Sequence, residues 1–244
     1  MSGFTRSERV QFSLIALVAV AAIGLEVTHA NSVLIFTVAG LAVAGMAHIL
    51  GVATEQAGEV AGPRISALLN ATFGNAAELI IVVLAIRQGG ELIDVARYSI
   101  IGSVMGNILL ILGASLLVSG IRHGRQSFNA VISGVNGTML LLATAALALP
   151  TLFTIVLPAE TNGAVSVSHG VAIVMAVLYG LYLLHAFRSP DESAAAEGHA
   201  HWTPRLSIIV LVASAAVTGL LSEFLVTAIE PTIKATGISA VFVG

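Results

Sequence analysis

Long apolar runs, cut at intervals by a few charged residues, organise this chain. The first run is Val10–Leu25, ending near Glu26, and the second is Val27–Thr54, free of Asp, Glu, Lys and Arg. A third lies between Arg64 and Arg87 with one charge inside it, Glu78. Tyr98–Ile121 follows, then a fifth run within Gln126–Ala159 and a sixth within Thr161–Phe187. The seventh, Leu206–Ile229, carries Glu223 near its end, and an eighth starts at Gly237 and stops at Gly244. A helix that crosses a bilayer needs about 20 mostly apolar residues. The pattern therefore predicts an all-α, polytopic transmembrane helix bundle. The last segment is too short to cross, since a helix of this length covers about 10 Å of a hydrocarbon core of about 30 Å. The expectation is a fragment of a longer chain, or a tail that packs against something else.

Composition sharpens this picture. Hydrophobic residues make up 57% of the 244 and charged residues only 9%, with a mean hydropathy of +0.99. So few charges cannot coat a soluble domain of this length. The net charge of −3 offers no basic surface for nucleic acid. With no cysteine, disulfide frameworks and Cys-based zinc sites are excluded. Arg6 and Arg9 before an apolar run, with Thr28-His29-Ala30 after it, loosely mimic a secretory signal. The expectation is that the first run is kept as a membrane anchor.

Charge placement predicts orientation. With the N-terminus in the cytoplasm, inner loops hold Arg6, Arg9, Arg64, Arg122, Arg125, Arg188 and Arg205, leaving Arg87, Arg97 and Lys234 outside. Seven of the ten Lys and Arg on one side fit the positive-inside rule. The segment from Ser189-Pro190-Asp191-Glu192 to His199-Ala200-His201 is polar, acidic and His-bearing. It reads as a linker between bundles, either a plain solvated loop or a regulatory metal-sensing segment.

The third run carries the candidate chemistry: Leu69-Asn70-Ala71-Thr72-Phe73-Gly74-Asn75-Ala76-Ala77-Glu78-Leu79. An ionisable group inside a span is costly and points to function. Asn75 and Glu78, three apart, share a helix face, and Gly74 weakens the helix just before them. A local break there would free carbonyls for a cation, as irregular backbone at membrane depth lines cavities or is buried in protein. Calcium takes six to eight oxygen ligands, so Glu78, Asn75 and carbonyls supply part of a shell. The bland alternative pairs Glu78 with Arg64 or Arg87, both distant along a helix. In the fourth run Ser103 and Asn107 face one way and offer further oxygens, while Gly102, Gly106 and Gly113 also suit close helix packing. Near the end of the second run, His48 and Glu55 lie on one face and Glu59 follows. Glu55 reads as a cation attractor or proton relay, or as part of an interfacial acidic pair. Glu223 is a possible counterpart of Glu55, because each is followed by a Pro and then Ile-Ser-Ala (Ile65-Ser66-Ala67, Ile238-Ser239-Ala240), a pattern compatible with an internal repeat. Asn136, Glu26, His169 and His185 read as packing or interface groups.

These residues carry a resemblance. Asn70 to Glu78 resembles the first alpha-repeat motif of the calcium/proton exchanger (CAX) family, within the cation/calcium exchanger superfamily. Ala53-Thr54-Glu55 is similar to the start of the family's Ala-Thr-Glu-Glu element, with Gln56 in place of the second Glu. Gly102-Ser103 through Asn107-Ile108-Leu109-Leu110, and Phe128-Asn129, also match. The resemblance implies a first helix (residues 1–28), a five-helix alpha-repeat (29–187), an acidic cytoplasmic linker (188–205) and the start of an inverted second repeat (206–244), truncated before its own Gly-Asn-x-x-Glu motif. It implies that Glu78 is the first-repeat carboxylate that binds calcium or protons. Gly74 and Asn75 would add oxygens at the helix break, with Ser103 and Asn107 as the polar pair on the adjacent helix. Glu55, His48, Asn70 and Glu223 remain relay candidates.

The expected function is calcium (or other divalent cation)/proton antiport by alternating access at a midplane carboxylate site. The second and seventh spans are expected to move against the core helices. The expected partners are the lipid bilayer, Ca²⁺ and protons, with a homo-oligomer possible, no nucleic acid and no cofactor. The expected location is a bacterial inner membrane. Two alternatives stand beside it: a sodium/calcium-type exchanger, and a half-length, non-transporting membrane subunit. No His-Glu-x-x-His or Gly-x-Ser-x-Gly motif suggests an enzyme.

Overall fold

A computed structural model describes residues 3–125, 127–156, 163–188 and 201–244. Among these residues the fold is helical, with seven stretches long and apolar enough to cross a membrane. The helices are α1 (Arg6–Val27), α2 (Ser32–Ala61), α3 (Pro63–Phe73), α4 (Ala76–Gln88), α5 (Leu92–Met105), α6 (Gly113–His123), α7 (Ala130–Val156), α8 (Gly163–Arg188), α9 (Pro204–Thr236) and α10 (Ala240–Val243). Between α5 and α6 the chain winds as a π-helix, Gly106–Leu112. Most of the proposed linker, residues 189–200, lies outside the described residues, so neither reading of it is addressed.

Several helices outrun their apolar cores, because polar residues in a first or last turn can cap or reach the interface. α1 starts at Arg6, closed by a capping box in which Thr5 Oγ1 accepts from the Glu8 amide and the Glu8 carboxylate accepts from the Thr5 amide. Asn31 caps α2, its side chain accepting from the Val33 amide. α2 then continues through Glu55 and Glu59 to Ala61, so these acids lie within the helix. α5 begins at Leu92, six residues before the apolar run, because Asp94 and Arg97 pair across its first turn at 3.0 Å. Asn129, a residue of the family resemblance, accepts from the Val131 amide just before α7. α9 does not stop before Pro231 but runs on to Thr236, which places Glu223 well inside the helix rather than one turn from its end.

The chain forms two compact units, one holding the described residues up to Leu112 and from His201 onward, the other Gly113–Arg188. In the second unit α7 packs against α8. The first is built on α2 and α9, which make the most extensive contact in the protein. Ala39, Ala42 and Met46 of α2 cluster with Leu221 of α9, and Leu50 and Ala53 with Leu211, while Ser207, Ser214, Thr218 and Ser222 of α9 are also buried. Apolar residues gain little from leaving lipid for each other, so spanning helices associate through close packing of small side chains. The Ser207 and Ser214 hydroxyls donate to the carbonyls of Thr203 and Leu211 in their own helix. Those of Thr218, Ser222 and Thr232 are enclosed without a partner among the described residues. A rotation about χ1 brings a helical Ser or Thr hydroxyl to the carbonyl one turn back.

α1 packs on α2, with Ala19 and Ala22 buried against Ala39, Ala42 and Val43. At the other end of α2, Gly62 takes φ +91° and Pro63 opens α3, which folds back on α2. The two helices nearly touch where they separate: a Cβ at Gly58 would lie 2.5 Å from Ser66 Oγ and 2.9 Å from its Cα. α4 and α5 form a hairpin through Gly89 and Gly90, closed by Val82, Ala85, Leu92, Val95 and Ala96 and covered by Val226 and Ile229 of α9. The suspected repeat gains a structural echo. α2 and α9, 30 and 33 residues long, both end at a glycine of positive φ, Gly62 and Gly237, with Ile-Ser-Ala close behind. α10 after the second of these packs against α5.

Gly58→Val should push α3 away from α2 and lower stability by roughly 1–3 kcal/mol, the usual range for overpacking. Gly40→Ala should be neutral, since its Cβ would meet Leu225 Cδ1 at an ordinary 3.7 Å. Thermal unfolding in detergent checks both, and equal melting temperatures would refute the tight crossing.

Candidate functional site

The third apolar run is not one helix. α3 ends at Phe73 and α4 begins at Ala76, so Gly74-Asn75 interrupts the span. The flanking helices have 11 and 13 residues, which puts the interruption near the middle of the crossing. The predicted weakness at Gly74 is thus a break in the helix, at a position where a larger residue would not fit. The Gly74 amide still donates to the Asn70 carbonyl at 3.0 Å, but a Cβ on residue 74 would sit 2.5 Å from that oxygen. Asn75 then leaves the helical region, with φ −116° and ψ 17°, and its carbonyl accepts from Leu79 to start α4. The last carbonyls of α3 and the first amides of α4 lose the partners a continuous helix would give. In hydrocarbon such groups need other partners.

The candidate side chains gather around this break. Asn70 is in the last turn of α3, Asn75 precedes α4, and Glu78 is in the first turn of α4. Asn75 makes no capping bond with its side chain. Among the described residues Glu78 has no ion pair or hydrogen bond, so its pairing with Arg64 or Arg87 is not seen. Asn70, Gly74, Asn75 and Glu78 are all exposed with respect to the rest of the chain. The oxygens thus point away from the α2–α9 seam, and no group of three or more His, Asp or Glu suited to a metal forms among the described residues.

Ser103 and Asn107 lie on the partner strand of the hairpin. α4 and α5 leave the Gly89-Gly90 turn side by side, and each residue rises about 1.5 Å. Asn75 and Ser103 therefore sit at similar heights, roughly 20 Å from the turn. Ser103 is half-buried in α5, whereas Asn107 is exposed within the π-helical stretch. Sequence spacing missed that stretch. Wider turns of this kind are frequent at functional sites, and the cluster of Gly102 and Gly106 around Ser103 was the only signal of a departure from α geometry.

The relay candidates are dispersed. His48 and Glu55 are exposed on α2, and Glu223 is exposed on α9. The residue after Glu55 proved more informative. Gln56 is buried, and its Oε1 accepts from the backbone amides of His201 and Trp202 at 3.1 and 3.2 Å. Replacing a family Glu by Gln keeps an acceptor there, which the sequence could not show without the position of α9. Asn136, His169 and His185 are exposed and Glu26 is half-buried.

Comparison with known proteins places this geometry. Residues 31–188 match the sodium/calcium exchanger protein family. The Ca²⁺/H⁺ antiporter ChaA of Bacillus subtilis is 34% identical over 97% of this chain and 69% of its own length. The vacuolar calcium ion transporter of Schizosaccharomyces pombe is 33% identical over 88% of this chain, which spans only 54% of it. The solved structure of native YfkE superposes with a TM-score of 0.78 at 30% identity, covering 96% of this chain and 66% of that one. A second YfkE structure, described as a Ca²⁺/H⁺ antiporter, gives 0.77. With its interrupted third span and the Asn-Ala-Thr-Phe-Gly-Asn-x-x-Glu sequence at the interruption, the chain belongs to the sodium/calcium exchanger family, on its calcium/proton exchanger branch.

Proposed function

We propose that this chain carries the first-repeat half of a calcium/proton antiport site, in which Glu78 binds either a divalent cation or a proton. The observation that carries the reading is the helix break at Gly74-Asn75, near mid-span, with Glu78 one turn beyond it. Glu78 supplies the charge, Asn75 a side-chain oxygen and the end of α3 its carbonyls. Ser103 and Asn107 supply polar groups on the neighbouring helix. This falls short of six to eight oxygens, and the exposed face of the break is where a second set of ligands would enter. The relatives named as calcium or Ca²⁺/H⁺ transporters favour this reading over a sodium-driven exchanger. The N-terminus and the 188–205 linker are placed on the cytoplasmic side by the Arg distribution, in the inner membrane of a bacterium.

Coupling follows from exclusivity. A carboxylate without cation or proton is costly to enclose in a low-dielectric site, whereas the loaded forms are not. Calcium displaces the proton by offering the carboxylate a charge partner. Alternating access comes from α2 and α9 moving together against α3, α4 and α5.

Glu78→Gln should abolish calcium-dependent proton flux in proteoliposomes while the protein still inserts and folds. Flux retained in that variant would reject the assignment. Asn75→Ala should weaken apparent calcium affinity by roughly tenfold, equal to about 1.4 kcal/mol. Apparent affinity should also fall as pH falls, by up to about tenfold per unit for each competing proton, and a pH-independent affinity would refute competition. Measuring these residues alone, and a chain continued through a second repeat, separates a half site from a complete one.

A further inference from the structure

A second polar constellation lies away from the helix break, at the end of the bundle where α1 and α9 begin and α2 closes. Three distant segments meet there. Trp202, 2% exposed, stands edge-on to Phe4 and Phe12 with ring centroids 5.1 and 6.0 Å away. Its indole Nε1–H points to Glu8 Oε2 at 3.4 Å, an oxygen that also accepts from the Thr5 amide at 2.7 Å. The other carboxylate oxygen of Glu8 lies 3.1 Å from His201 Nε2. Gln56 of α2 accepts from the amides of His201 and Trp202 and donates to Glu59 at 3.4 Å. Thr203, the next residue, caps α9.

The arrangement ties the entry of α9 to α1 through Glu8 and to α2 through Gln56. Elsewhere α1 touches α9 only over a short stretch. Among His201, Trp202, Glu8 and Gln56, the imidazole is the side-chain type that ionises near neutral pH. The His201 side chain is 44% exposed, open to protons, whereas that of Glu8 is 13% exposed. The other charged groups on the ends that meet here are Arg6 and Arg9 of α1, Glu55 and Glu59 of α2, Arg64 of α3 and Arg205 of α9. Among the described residues, the Glu8 carboxylate forms an ion-pair contact with the imidazole at 3.1 Å.

We propose that His201, Trp202, Glu8 and Gln56 form a pH-sensitive latch that holds the start of α9 against α1 and α2. Below the titration of His201 an imidazolium faces the carboxylate and the latch is tight. As pH rises through that titration the ion pair is lost, a weaker neutral hydrogen bond remains, and α9 is freer to move. The consequence for transport rests on the proposed movement of α9, but the latch itself does not.

Trp202 is the single tryptophan of the chain, so the latch reports on itself. Emission of the purified full-length protein in lipid nanodiscs should follow one sigmoid between about pH 5 and 8, as a neighbouring imidazole changes charge. His201→Gln should abolish the sigmoid. Glu8→Gln, which keeps an oxygen acceptor, should move its midpoint to lower pH by about half a unit or more. Emission that ignores pH, or a sigmoid that survives in His201→Gln, would overturn the latch. Gln56→Leu should shift emission to the red at every pH as Trp202 becomes wet. An unshifted spectrum in Gln56→Leu would remove Gln56 from the junction. In flux assays His201→Gln should relieve slowing on the acidic side and leave exchange at alkaline pH unchanged. If emission titrates but the flux profile does not change, control of α9 is refuted. Absence of flux in every variant of a chain continued through a second repeat, with the fluorescence titration intact, would reject the antiport reading and leave the latch standing.

Discussion

The close approach of α2 and α9 is the interaction on which the first unit depends. Neither helix gains from leaving lipid on hydrophobic grounds alone, so the contact rests on side chains small enough to bring two backbones together. Ala39 and Ala42 of α2 cluster with Leu221 of α9, and Ala53 with Leu211, while Ser207, Ser214, Thr218 and Ser222 are buried along α9. α1 packs on α2, α3 folds back from its end, and the α4–α5 hairpin rests on α9 through Val226 and Ile229. A pair so tightly packed moves as a unit more readily than it separates. This suits a rigid body working against the interrupted helices and explains why a fastening at its end matters.

The spans were legible because the bilayer imposes a length and an apolar composition that few other environments demand. Helix ends were not, since they depend on caps and interfacial pairs. The Thr5–Glu8 capping box and the Asp94–Arg97 pair carry α1 and α5 beyond their apolar cores, and Pro231 fails to stop α9. The break at Gly74 was readable because glycine before a buried-type acid is an unusual sequence in a span, and the Asn70 carbonyl leaves no room for a Cβ there. The π-helical stretch after Met105 was invisible, as i, i+4 spacing assumes the very geometry that changes there. Gln56 was visible only as a departure from a family pattern. Its partners are 145 and 146 residues away, and no local pattern reports contacts at that range.

The same economy appears at both polar centres. At the break, backbone groups released from the helical ladder are concentrated beside one carboxylate. At the junction, one carboxylate serves three purposes: it caps α1, receives the indole and faces the imidazole. Sparse charge there makes one ionisable group answer to several neighbours. A chain that is 9% charged cannot assign one acid to each task.

The interruption of the third span also bears on how the protein reaches the membrane. Neither half could enter alone, because helices of 11 and 13 residues cover only about 17 and 20 Å of the roughly 30 Å core. Residues 64–88 together form a 25-residue stretch that contains an 18-residue window of mean hydropathy 1.8, ample for insertion as one piece. The biosynthetic machinery therefore handles this segment as an ordinary span, selected on overall greasiness, which Gly74 and Asn75 barely dent. Exposed backbone at the break becomes tolerable only once neighbouring helices or a bound ion surround it. Insertion and site assembly are thus separate events, and a substitution that spoils the second leaves the first untouched.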